Sequence, residues 1–164
     1  MKPSGISLGG YRPGANGRVT ELHGRYYHRH WGFGLYFESK VAAGLAAFLD
    51  RFAASRDGFW VALLEDEIVG SVTIEGGDAE STGARLRWFI LAEEARGRGA
   101  GHLLLGAAMD FCRGAGFGQV HLHTFAGLDA ARHFYQKYGF TLTGEHGARQ
   151  WGGPVLEQRF QWRP

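Results

Sequence analysis

Leu86-Arg87-Trp88-Phe89-Ile90-Leu91-Ala92-Glu93-Glu94-Ala95-Arg96-Gly97-Arg98-Gly99-Ala100-Gly101-His102-Leu103-Leu104 is the stretch on which the fold turns. Leu86 to Leu91 is apolar, branched and aromatic, the composition of a strand. A glycine-rich turn follows. Gly99 or Ala100 then opens a helix whose apolar positions Leu103, Leu104, Ala107, Ala108 and Phe111 recur at helical spacing until Gly114 and Gly116 stop it. A strand feeding such a turn into a helix converges backbone N–H groups at the positive end of the helix dipole, which suits a pyrophosphate. Gly97, Gly99 and Gly101 remove side chains that would hold phosphate oxygens away from the amides, and Arg96 and Arg98 add charge. The dinucleotide fingerprint G-x-G-x-x-G fits Gly97 and Gly99 but needs glycine where His102 stands, and no G-K-[ST] is present for a P-loop. The plain alternative is a turn that only joins a strand to a helix.

Outward from this stretch the chain alternates in the same way. Ile6 to Arg12 reads as a first strand ended by Pro13-Gly14, and Asn16 is placed to cap a helix through Val19 and Leu22 to Tyr26. After the glycine-rich, aromatic segment Gly32 to Tyr36, Val41, Leu45, Phe48, Leu49 and Phe52 mark a second amphipathic helix. Phe59 to Leu64 and Ile68 to Ile74, separated by Glu65-Asp66-Glu67, read as an antiparallel hairpin. Downstream come a strand at Val120 to Phe125, a helix at Asp129 to Tyr138, and strands near Phe140 to Thr143 and at Val155 to Trp162. The order β-α-α-β-β-β-α-β-α-β-β predicts an α/β fold with one mixed sheet and helices on its faces, in one domain over residues 1–164.

Composition narrows the function. Hydrophobic residues at 45% and aromatics at 14% supply a packed core and exclude disorder. No apolar run approaches the ~20 residues of a membrane-spanning helix. Met1-Lys2-Pro3-Ser4-Gly5 leads into no apolar segment, so a soluble cytoplasmic protein without a membrane partner is expected. The lone Cys112 agrees with a reducing compartment and reads as a buried helix residue. With a net charge of +2 and dispersed Lys and Arg, nucleic acid is not an expected partner.

Arg96, Gly99 and Gly101 meet the pattern [Q/R]-x-x-G-x-[G/A], and Ala131-Arg132-His133-Phe134-Tyr135-Gln136-Lys137-Tyr138-Gly139-Phe140 meets A-x-x-[LF]-Y-x-[KR]-x-G-F. With these two motifs in order, the chain resembles the GNAT superfamily of N-acetyltransferases from about Ile6 to Trp162. It departs from the family pattern at Leu128, where asparagine is common, and at Glu93, where proline is common. The segments Leu142 to His146 and Arg149 to Gly152 are similar to acetyltransferase domains fused in some bacteria to winged-helix regulators; no winged-helix region is expected in these 164 residues.

The resemblance implies acetyl-coenzyme A as cosubstrate, no metal, and a small-molecule amine as acceptor, with a homodimer left open. It assigns the coenzyme to Phe89, Ile90 and Leu91, which would act through backbone groups, to the loop Arg96, Gly97, Arg98, Gly99, Ala100 and Gly101, and to Asp129 and Phe134. An N–H near Leu91 would polarise the thioester carbonyl. Tyr135 matches the family's general acid, with Tyr138 as the fallback. No motif fixes the base. His121 and His123 alternate along a strand and share a face; they are candidate bases, structural histidines, or a metal pair lacking a third ligand. The resemblance also places Glu21, His28, His30 and Glu38 near the acceptor pocket. Tyr26 to Phe37 forms either an aromatic wall or core, and Arg85 and Arg87 form either a carboxylate anchor or a solvated face. A protein-amine acetyltransferase and a non-catalytic acetyl-coenzyme A sensor are the competing functions.

Overall fold

The computed structural model describes residues 5–77 and 83–164; Met1 to Ser4, part of the segment weighed for a secretion signal, lie outside them. The elements run β1 (Ile6–Gly9), α1 (Ala15–Trp31), α2 (Leu35–Asp50), β2 (Gly58–Leu64), β3 (Glu67–Glu75), β4 (Ala84–Leu91), α3 (Ala100–Gly114), β5 (Val120–Phe125), α4 (Asp129–Lys137), β6 (Thr141–Ala148) and β7 (Val155–Trp162). This is the expected order. The seven strands form one mixed sheet in the order β1-β2-β3-β4-β5-β7-β6. No helix among the described residues is long and apolar enough to cross a membrane.

Side-chain alternation divides the sheet into two faces. Ala62, Val72, Ile74, Leu86, Val120, Leu122 and Phe160 pack with Leu104, Leu105, Ala108 and Met109 of α3 and Tyr135 of α4. Phe59, Val61 and Ile68 pack under α1 and α2 with Val19, Leu45 and Phe48. The β2–β3 hairpin turns on Glu65 and Asp66, both left-handed at φ 50 and 65, the geometry of a two-residue type I′ turn.

Five of the six strand pairings are antiparallel, and the exception positions the site. β4 and β5 run parallel and pair only at Ala84–Val120 and Arg85–His121. Beyond these two rungs the strands separate. A bulge adds to the divergence: the β3–β4 register shifts between Ser71 and Thr73, and Trp88 takes a left-handed φ of 49. Ser71 and Thr73 hold the bulged backbone by donating their hydroxyls to the carbonyls of Trp88 (2.7 Å) and Arg87 (3.0 Å).

Several boundaries differ from the sequence expectation for identifiable reasons. β1 stops at Gly9 because its pairing with β2 ends at Gly9–Val61. α1 continues to Trp31, since Tyr26, Tyr27 and Trp31 pack on one another, and ends where left-handed Gly32 (φ 70) donates its N–H to His28. β6 extends to Ala148 because pairing with β7 carries Gly144 to Gly147 into the sheet despite their weak strand propensity. A 3₁₀ turn at Glu93–Ala95, which no pattern announced, links β4 to the glycine loop.

One buried group links this packing to pH. His23 of α1 is 5% exposed, and burial lowers its pKa from the usual histidine value to about 4. Neutral His23 donates Nδ1–H to the Val19 carbonyl at 2.8 Å, which leaves Nε2 as an acceptor. Unfolding restores the ordinary affinity for a proton, so acid favours the unfolded chain. This group should leave stability untouched above pH ~6.5 and remove roughly 3 kcal/mol as pH falls towards 4, below which its effect is constant. Urea unfolding of the wild type and of His23→Gln across this range measures it: the variant should show a shallower dependence by one proton.

Candidate active site

Where β4 and β5 separate, a cavity of about 520 Å³ enters the molecule. Its walls are Leu86 to Leu91 of β4, the loop residues Ala95, Arg96, Gly97, Gly99, Ala100, Gly101 and His102, the α4 residues Ala130, Ala131, Phe134 and Tyr135, and His23, Tyr26 and Tyr27 of α1. Leu122, His123 and Thr124 of β5 close the far side, with Leu128 just after it. The Ala92 N–H donates to the Val69 carbonyl at 2.8 Å, on the β3 side. Strand alternation therefore directs the N–H groups of Leu91 and Phe89 to the other edge, into the gap.

The glycine loop has the shape its sequence suggested. Gly97 (φ 75) and Gly99 (φ 83) are left-handed, and a Cβ built on either meets nothing within 4 Å, so both leave open space that a side chain would intrude upon. Gly99 is the N-cap of α3 and offers no side-chain cap, which leaves the first N–H groups of the helix available to a ligand. Gly101 serves packing: a Cβ there would lie 2.6 Å from the Phe134 ring. The Arg96 guanidinium lies 5.6 Å from the centre of the Tyr26 ring and lines the cavity. Open space, free helix N–H groups and a cation together fit the pyrophosphate of a coenzyme. Arg98 turns away, its Nε donating to the Glu94 carbonyl at 2.9 Å, and exposed Asp129 starts α4; neither is in the lining.

Two groups able to move protons face this space. Tyr135 is 5% exposed, and burial pushes its phenol well above the ordinary tyrosine value, so it stays protonated. Among the described residues its hydroxyl meets no hydrogen-bond partner. Tyr27 of α1 is shifted in the same direction, by burial first and then by Tyr135 and Tyr26. Tyr138, the fallback, donates its hydroxyl to the His102 carbonyl at 3.0 Å and does not line the cavity. His123 does line it. Burial, with Arg85 second, holds its pKa below the usual histidine value, so the ring is neutral at physiological pH. Its Nδ1 lies 3.4 Å from Oε1 of buried Glu157. A carboxylate only accepts, so it favours hydrogen on Nδ1 and leaves the Nε2 lone pair free for a proton.

His121 shares the face of His123, with ring centres 5.8 Å apart, but lies outside the lining. Glu21 is bound to Arg18 and Arg25, and His28 Nδ1 bonds to the Phe33 carbonyl at 2.9 Å. Neither they nor His30 and Glu38 reach the cavity. The aromatic stretch divides: Phe33 and Phe37 are core at 4% and 5% exposure, while Tyr26 and Tyr27 form cavity wall. Sequence reasoning did not single out His23, Thr124 or Glu157. The alternation Glu157, Arg159, Gln161 was a usable signal, since three polar residues spaced by two on a strand imply a polar sheet face. No group of three or more His, Cys, Asp and Glu among the described residues is arranged to hold a metal.

Comparison with known proteins agrees with this geometry. The Acetyltransferase (GNAT) family matches residues 18–140. Human N-acetyltransferase 8B is 33% identical over 96 residues, covering 57% of this chain and 42% of that protein, so the chain spans about two-fifths of the length of this relative. Ribosomal-protein-alanine N-acetyltransferase from Brucella melitensis shares the fold with a TM-score of 0.75 at 15% identity, over 96% of this chain and 99% of the other. The yncA protein of Salmonella typhimurium, solved with its cofactor acetyl-CoA, gives 0.72 at 13% identity, over 97% and 94%. The chain belongs to the acetyltransferase (GNAT) family.

Proposed function

We propose that residues 1–164 form one N-acetyltransferase domain that moves the acetyl group of acetyl-coenzyme A to the amine of a small molecule, directly, in a complex holding both substrates. One observation carries this reading: a single cavity contains the glycine loop, a protonated Tyr135 and a neutral His123. Bound acetyl-coenzyme A supplies an acetyl group activated as a thioester. Arg96, Gly97, Gly99 and the first N–H groups of α3 hold its pyrophosphate, while Gly101 keeps Phe134 close against the loop. The Leu91 N–H, directed into the gap, opposes the negative charge that gathers on the carbonyl oxygen. His123 Nε2 takes the proton of the attacking amine, and the Tyr135 hydroxyl protonates the departing thiolate.

Direct transfer is supported by Cys112. It is fully buried in α3 among core residues, and burial pushes its thiol up to about 12, which makes it a poor nucleophile. A lone buried thiol also suits a reducing, cytoplasmic setting. The aromatic wall of Tyr26, Tyr27 and Trp88 around a cavity of about 520 Å³ favours a small acceptor over a protein chain. The test is an amine and amino-acid screen for acetyl-coenzyme A-dependent thiol release; coenzyme binding with no acceptor turned over would favour the sensor.

Three outcomes are expected. Gly99→Val, checked as folded by circular dichroism, should lose the thermal shift that acetyl-coenzyme A gives the wild type, because a branched side chain enters the cradle and opposes the left-handed backbone. Tyr135→Phe should lower kcat by ~10²-fold in single-turnover measurement while coenzyme affinity stays within a few fold, since the ring keeps its packing and only the proton donor is lost. The acid limb of kcat/KM should fall below pH ~6.5, because His123 stays neutral further into acid than an ordinary imidazole; a limb above that value argues for a different base.

A further inference from the structure

Among the described residues, the sheet face that carries Glu75, Arg85 and His121 holds more positive charge than its own carboxylates neutralise. Strand register lays it out in rows. Glu75 of β3, Arg85 of β4, His121 of β5 and Gln161 of β7 form one row. Two residues further along the strands, Thr73, Arg87, His123 and Arg159 form the next, with the β4–β5 gap between Arg87 and His123. The cavity lining reaches Arg87 and His123, and Arg85 lies one row beyond them.

The carboxylates on this face are already committed. Glu75 pairs with Arg51 through one oxygen and lies 3.7 Å from Arg87 through the other. Glu157 accepts from Gln150 Nε2 and Trp151 Nε1, each at 3.4 Å, and faces His123 and His146. Arg159 is satisfied by neutral partners, Gln161 Oε1 at 2.9 Å and Thr143 Oγ1 at 3.2 Å. Arg87 is also fixed by its stacking on Trp88, 4.0 Å from the ring. Arg85 differs. Its Nε is buried without a hydrogen-bond partner, and among the described residues its guanidinium forms no ion pair. Burial lowers its pKa, with Glu75 and Glu157 opposing the shift from a distance.

A half-buried guanidinium without a bonded anion among the described residues is costly, and its planar fork matches a carboxylate through two parallel hydrogen bonds. We infer that the acceptor amine carries a carboxylate, which Arg85 receives while the amine meets His123. The acceptor is then an amino acid or a close relative. This rests on the N-acetyltransferase reading and adds the substrate class. The spacing is suitable: two residues along β5 span roughly 7 Å, a distance that the arginine stem and a short amino acid together cover. Specificity follows from the same arrangement, because an acceptor without a carboxylate leaves Arg85 unpaired.

The experiment compares the twenty standard L-amino acids with their carboxamides and their decarboxylated amines, measuring thiol release from acetyl-coenzyme A. At least one amino acid should exceed its own amide and amine in kcat/KM by ~10²-fold or more. Arg85→Gln should reduce that ratio to within a few fold, mainly through KM, in protein that still gives the acetyl-coenzyme A thermal shift. Arg85→Lys, which keeps the charge and loses the fork, should fall between the two. Amides or amines turned over as well as the acids, or a ratio unchanged in both variants, would overturn the carboxylate and leave the N-acetyltransferase reading standing. No thiol release with any compound, despite coenzyme binding, would overturn both.

Discussion

The parallel contact between β4 and β5 lasts two rungs, Ala84–Val120 and Arg85–His121, and the cavity beside it depends on its brevity. A longer ladder would satisfy the outer edge of β4 with β5 and leave no cavity. Because the ladder stops, the Phe89 and Leu91 amides face a gap, the glycine loop lies at its rim and α4 contributes Tyr135 to its wall. The bulge at Trp88 supports the divergence from the β3 side, secured by the Ser71 and Thr73 hydroxyls. Strand polar groups left unpaired are costly unless water or a ligand meets them, so a splay of this kind is a binding feature.

Burial sets the protonation of the site from both directions. Desolvation disfavours charge, so it raises a phenol and lowers an imidazole. Tyr135 is thereby kept protonated and His123 neutral in one space, giving a donor and an acceptor at the same pH. Glu157 adds direction. Anchored by Gln150 and Trp151 of the β6–β7 connection, it presents an acceptor to His123 Nδ1 and orients the ring. The same desolvation acts on Arg85, where charge persists and a partner anion becomes the stabilising complement.

The order of elements, the hairpin and the glycine loop were legible in the sequence because each depends on local chemistry. Period-two and period-3.6 patterns mark strands and helices, and glycine marks the left-handed positions Gly97 and Gly99. Element ends were less legible where long-range pairing decided them. β6 runs to Ala148 only because β7 lies beside it, and α1 reaches Trp31 only because its rings pack together.

The sequence by itself determined the fold class, the glycine-rich loop from Arg96 to Gly101 and the presence of Tyr135 in a helix following β5, since these are properties of neighbouring residues. Only the tertiary structure decided between His121 and His123 as the histidine in the cavity, because the two share a strand face and differ only in where β4 ceases to cover β5. It alone brought Glu157 to His123 and left Arg85 without a bonded anion among the described residues. The Glu157–His123 contact joins residues 34 positions apart in the chain, and no periodicity reports which side chain stands opposite which once strands from distant segments pair.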